Sequence, residues 1–141
     1  MARADTLTIT SKQATYFSDF LINLDRNPVT GLIARTTNEE SIKASIRHLI
    51  LTTLGERFYR PFMGSKIKTL LFDPMGKVSE DLLKTTISST IRNFEPRANL
   101  IDVKVEADIQ DTNAYRVGIF FECINIPGKT FFSSLLLKTL R

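Results

Sequence analysis

The sequence predicts an α+β fold: three helices followed by a three-stranded antiparallel meander, with a small hairpin at the N-terminal side. Three observations carry this expectation. Upstream of Pro96, apolar residues recur at helical spacing in two long stretches. Downstream of Pro96, the apolar period drops to two. No internal repeat, low-complexity tract or linker divides the 141 residues, a length typical of one domain.

The first fifteen or so residues are polar and small, and residues 1–17 are expected to form a flexible arm ahead of a single domain over 18–141. Two short apolar runs then flank Asp25-Arg26-Asn27-Pro28-Val29-Thr30-Gly31. Asn, Pro and Gly together mark a turn, so this region reads as the hairpin. Thr37 and Glu40 have capping-box spacing and are expected to open the first helix. Its apolar face is Ile42, Ile46, Leu49, Ile50 and Thr53, and Gly55 suits a left-handed stop. After GERFYRPFMG breaks the period, Ser65 is placed to cap a short helix through Leu71. Ser79 is placed to cap a third, with Glu80 and Asp81 in its first turn. The face Leu83, Ile87, Thr90, Ile91, Phe94 runs up to Pro96, which ends the helix.

Beyond the proline, Ile101, Val103, Val105, Ala107 and Ile109 alternate with charged residues and predict a half-buried strand. Asp111-Thr112-Asn113 supplies a turn. Tyr115, Val117, Ile119, Phe121 and Cys123 are the buried face of the next strand. Pro127-Gly128 is a second turn, and residues 130–138 form a third strand that is apolar on both sides.

The composition excludes more chemistry than it offers. Hydrophobic residues are 43% and charged residues 24%, and the net charge of +4 permits an anionic partner without requiring one. No run approaches ~18 apolar residues, the length of a membrane span. One histidine and one cysteine make no ordinary zinc site, and no cofactor or metal is expected. His48 falls opposite Ile46 and Ile50 and reads as solvated; Cys123 reads as core. No phosphate loop and no nucleophile elbow is present. Glu56 and Glu95 are the carboxylates a glycosidase would need. Each has an arginine beside it, Arg57 and Arg97, which holds a carboxyl ionised and is wrong for a general acid. Arg57-Phe58-Tyr59-Arg60-Pro61-Phe62 interleaves bases and aromatics, as single-stranded nucleic-acid binders do. The favoured reading is that Phe58 and Phe62 plug the core beneath a loop while the charges stay in water.

Four segments occur in order: DRNPVTG, EESIKASIRHLILTTLGERFYRPFMGSKIKTLLFDP, a helix ending in FEPR, and the terminal meander. Together they resemble the baseplate wedge and sheath-initiator family of contractile phage tails. That family also supplies a type VI secretion baseplate subunit, and its members are often labelled lysozyme-like. The resemblance implies a structural virion protein, assembled in the host cytoplasm. Its implied partners are the helical core bundle of other wedge proteins and the first tail sheath subunits, which join its β-sheet. It also implies that Glu95-Pro96-Arg97 is the family signature and lies at the core-bundle contact, with Gly55-Glu56-Arg57 the other specific motif. A rigid stop at Pro96 would aim Glu95 and Arg97 at a partner for charge-assisted hydrogen bonds. Pairing inside the chain, for example with an arginine of the Gly-Glu-Arg loop, is the alternative. A peptidoglycan hydrolase and a nucleic-acid binder are the competing functions.

Overall fold

A computed structural model describes residues 14–21, 23–109, 111 and 113–138. Strands β1 (Ser18–Phe20) and β2 (Arg35–Thr37) pair antiparallel as the hairpin. Helices α1 (Glu39–Leu51), α2 (Ile67–Leu70) and α3 (Lys77–Phe94) follow. Strands β3 (Ala98–Ala107), β4 (Ala114–Cys123) and β5 (Ile126–Lys138) form one antiparallel sheet in that order. The α+β expectation therefore holds among the described residues.

The helical stripes pack as the periodicity requires. Ile42, Ile46 and Ile50 of α1 and Leu83, Ile87 and Ile91 of α3 are buried. They meet one face of the sheet, Val103, Val117, Ile119, Phe121, Leu135 and Leu137, in one apolar cluster. Tyr115 and Cys123 lie in the same cluster, and burial raises the Cys123 thiol pKa. His48 is exposed, as its place on α1 requires.

Helix caps differ from the sequence reading. Thr37 belongs to β2, and the N-cap of α1 is Asn38, with φ 49°. Its side chain does not cap the helix. It accepts from the Tyr16 N–H at 2.9 Å and donates to the Ala14 carbonyl at 3.0 Å, pinning the chain ahead of β1. Residues 1–13 of the expected arm lie outside the described residues. Glu40 pairs with Lys43 at 2.7 Å instead of closing a capping box. Helix α1 ends at Leu51, before Thr53 and Gly55; Gly55, at φ 85°, serves the loop that follows. Ser79 lies within the first turn of α3, and its hydroxyl donates to the Pro74 carbonyl at 2.7 Å.

Three strand details also differ. A β-bulge between Leu100 and Asp102 inserts Ile101 as an unpaired residue, so Ile101 is exposed although the alternation placed it inside. Ile109, past the strand end, is almost fully exposed. The β4–β5 reversal is made by Ile124 and Asn125, because Cys123 pairs with Ile126. Pro127-Gly128 instead falls in the irregular start of β5, before Thr130 resumes pairing with Glu122. In the β3–β4 turn, Asp111 accepts from the Asn113 N–H at 3.2 Å through its carboxylate. Thr112 lies outside the described residues.

Candidate interaction site

Helix α3 passes into β3 through Glu95-Pro96-Arg97, and the main chain is tied on both sides. The Glu95 N–H donates to the Ile91 carbonyl at 2.9 Å, and the Ile124 N–H donates to the Arg97 carbonyl at 3.1 Å. Pro96 is exposed, but Glu95 is only 2% exposed. A buried carboxylate needs partners, and Arg97 supplies a two-pronged one. Its Nε donates to Glu95 Oε1 at 2.6 Å and its Nη2 to Oε2 at 2.8 Å. Burial pushes the Glu95 carboxyl up, but hydrogen bonds from Arg97 and from Ser45 of α1 outweigh it, and the pKa lies below the ordinary value. Arg97 also lies over the Phe17 ring, 5.5 Å from its centroid. The pair thus clasps the α3–β3 junction to α1 and to the chain before β1. The sequence does not single out Ser45 or Phe17 as partners, because residues 50 and 80 positions away leave no local signal.

Gly55-Glu56-Arg57 lies in a separate loop; no described hydrogen bond or ion pair joins it to the Glu95–Arg97 clasp. Glu56 accepts from the Thr53 N–H at 2.8 Å, and that bond, with the charge of Lys68, lowers its pKa; Arg57 contributes least. The shift has the expected direction but a different main cause. Arg57 instead approaches the Met63 sulfur at 3.2 Å. Across the loop, the Gly55 N–H donates to the Pro61 carbonyl at 2.8 Å and the Ser65 N–H to the Thr52 carbonyl at 2.9 Å. Contrary to the sequence expectation, the loop aromatics do not plug the core. Phe58, Tyr59 and Phe62 are 98%, 100% and 83% exposed. The hydrogen-bonded frame holds the loop outward, and Ile67 and Leu71 fill the core beside α1 instead.

The third feature is the sheet edge. The Asp108 N–H donates to the Ala114 carbonyl at 2.8 Å, which fixes the phase of the ladder. Counting by two, Arg116, Gly118 and Phe120 turn their main chain toward β3, and Val117, Ile119 and Phe121 turn theirs toward β5. In β5, Phe131, Ser133 and Leu135 therefore face β4, and Thr130, Phe132, Ser134 and Leu136 point N–H and C=O groups away from the sheet. The two edges are treated differently. On β3, the outward Val103 N–H is occupied by the Asp102 carboxylate at 2.8 Å, which Lys84 of α3 holds at 3.1 Å, and the bulge lies beside it. Among the described residues, no side chain occupies the outward groups of β5. A groove between α1, the hairpin and β5, lined by Leu21, Thr36, Lys43, Arg47, Ser133 and Ser134, lies at that edge.

Residues 36–124 match the family described as baseplate wedge protein gp25, and they include both charged motifs. The chain belongs to the baseplate wedge protein gp25 family. Over 95 residues it is 32% identical to the baseplate wedge protein gp25 of Enterobacteria phage T4, covering 67% of this chain and 71% of that protein. A chain of the anti-feeding prophage baseplate superposes with a TM-score of 0.68 at 27% identity, over 79% of this chain and 89% of that one. A candidate tail lysozyme from Geobacter sulfurreducens superposes with a TM-score of 0.70, over 77% of this chain and 97% of that one. At 21% identity that second likeness is one of fold alone. Membership in the gp25 family makes the chain a structural component of a contractile tail baseplate.

Proposed function

We propose that this chain is a non-enzymatic subunit of the baseplate wedge that binds the helical core bundle of other wedge proteins and gives the first ring of sheath subunits an edge to join. The core bundle would meet the Glu95-Pro96-Arg97 junction and the Gly55-Glu56-Arg57 loop. At the junction, Glu95 presets the Arg97 fork, and exposed Arg92, Pro96, Asn99 and Ile124 surround the shallow pocket there. The resemblance of those motifs to the family's supports this contact.

The observation that carries the sheath role is the inequality of the two edges. A bulge and a placed carboxylate are devices that keep an edge strand from pairing. β3 has both along its length; in β5 the irregularity is confined to the start, before Thr130, and the run Thr130–Lys138, with a groove beside it, has neither. Main-chain pairing at such an edge gives affinity, and side-chain pockets add specificity. Neither acid supports hydrolysis: Glu56 and Glu95 are both held ionised, and Glu95 has both oxygens engaged by Arg97.

Ser134→Pro tests the edge. Ser134 points its N–H outward, so proline removes a donor that the domain does not use. The variant is expected to melt within a few degrees of the wild type, yet to yield baseplates and tubes without sheath in electron micrographs of lysates. Leu136→Pro blocks the same edge should Ser134→Pro fail to fold. Fully sheathed tails from either folded variant would reject the role.

A further inference from the structure

Among the described residues, the aromatic tip of the 52–65 loop packs against no part of the core. A side chain as exposed as in an isolated peptide sits on a convex point, and Phe58 and Tyr59 are 98% and 100% exposed. Phe62 stands with them at 83%. Three aromatics within five residues, all in water, are a liability unless a partner covers them.

The base beneath them is built. Gly64, at φ 142°, lets the chain pass so close to α1 that a Cβ there would lie 2.7 Å from the Thr52 carbonyl oxygen. Thr53 bridges to Ser65, and Gly55 bonds to Pro61 across the loop. The Arg60 N–H donates to the Arg57 carbonyl at 3.2 Å and the Met63 N–H to the Arg60 carbonyl at 3.0 Å. A tip held this way loses little conformational freedom on binding.

Charge states the partner's chemistry. Arg57, Arg60, Lys66 and Lys68 are all exposed, and none is in a described ion pair. Against them stands the Glu56 carboxylate, already bonded to the Thr53 N–H. Tyr, Phe and Arg are residues enriched at protein interfaces. A convex tip suits a protein pocket better than a nucleic-acid strand, which non-specific binders track along a groove.

We propose that Phe58, Tyr59 and Phe62 form a docking knob that enters an apolar pocket with an acidic rim on another protein of the baseplate, with Arg57 and Arg60 meeting that rim. The inference rests on the baseplate reading and adds the kind of surface this loop takes. It is tested in particles. A full-length chain carrying a benzophenone amino acid in place of Tyr59 is supplied to a phage lacking its own copy. Purified particles are irradiated and cross-linked peptides identified by mass spectrometry. The expected product joins position 59 to one other baseplate protein, at a peptide containing apolar residues with Asp or Glu.

In parallel, Phe58→Ser/Tyr59→Ser/Phe62→Ser and Arg57→Glu/Arg60→Glu chains compete with wild type for incorporation. Each is expected to melt as wild type does and to be under-represented on the order of 30-fold, the effect of losing one interface hot spot. Particles that contain the chain but yield no cross-link at position 59, or one to a peptide without acidic residues, overturn the knob and leave the baseplate reading standing. Equal incorporation of either variant overturns it as well. So does loop-dependent binding of the purified chain to a labelled 20-nucleotide single strand or to phosphatidylglycerol vesicles. Particles without the chain would overturn the baseplate reading itself.

Discussion

Glu95 is where residue-scale physics says most. The sequence shows that Pro96 stops a helix and that opposite charges flank it. It does not show which way those charges turn, because residues two apart across a bend have no fixed relative direction. The structure turns them on each other, with Ser45 as a third partner. Removing one member of a buried pair strands the other, which costs roughly 3–5 kcal/mol in a fully buried site. Arg97 is partly exposed, so Arg97→Ala is expected to cost about 2–3 kcal/mol and to lower the melting temperature by on the order of 5–10 °C. The pair also leaves a pH signature. The folded-state pKa of Glu95 is depressed below the reference value of 4.5, so its contribution is present above that pH and is lost as pH falls below it. Urea titrations at pH 7, 5, 4 and 3 should show the stability gap between wild type and Glu95→Gln narrowing only in the acid range. A constant gap would mean that the carboxylate charge is not what the clasp uses.

At the scale of elements, the helix stripes and the β4 face were legible because each repeats over three or more turns or pairs. Single insertions were not. Ile101, Val103 and Val105 alternate without fault in sequence, yet the bulge puts Ile101 outside. The parity of a strand is set by its partner, and one extra residue shifts it. The GERFYRPFMG loop failed for another reason: in a stretch without period, hydrophobicity does not say inward or outward. Its glycines were the better signal. Gly64 is required both by its φ of 142° and by the approach to the Thr52 carbonyl. Gly64→Ala is therefore expected to cost about 2 kcal/mol, the scale of a strained backbone residue. Phe58→Ala in the same loop should stay within about 0.5 kcal/mol, as exposed positions do. Chemical denaturation of both variants checks this, and an inverted order would mean that the tip, not the frame, holds the loop.

At the scale of the whole molecule, the family was legible from motif order, since DRNPVTG, Gly-Glu-Arg and Glu-Pro-Arg fall in sequence across one chain. The fold alone would not separate a baseplate protein from a lysozyme, because folds host unrelated functions. The state of the two candidate acids weighs against hydrolysis. A glycosidase needs two carboxyls ~5–9 Å apart across the bond, one of them protonated at working pH by a raised pKa. Here Glu56 is fully solvated and lowered by the Thr53 N–H and Lys68, and Glu95 is closed off by the Arg97 fork. Neither can deliver a proton to a leaving oxygen near neutral pH. The purified chain should therefore clear a suspension of peptidoglycan no faster than buffer, and Glu56→Gln and Glu95→Gln should match it. A turbidity assay with a known lysozyme as positive control makes the measurement. Clearing by the wild type that either substitution abolished would show that one of these acids titrates in a way the fold does not suggest, and the non-enzymatic assignment would fail.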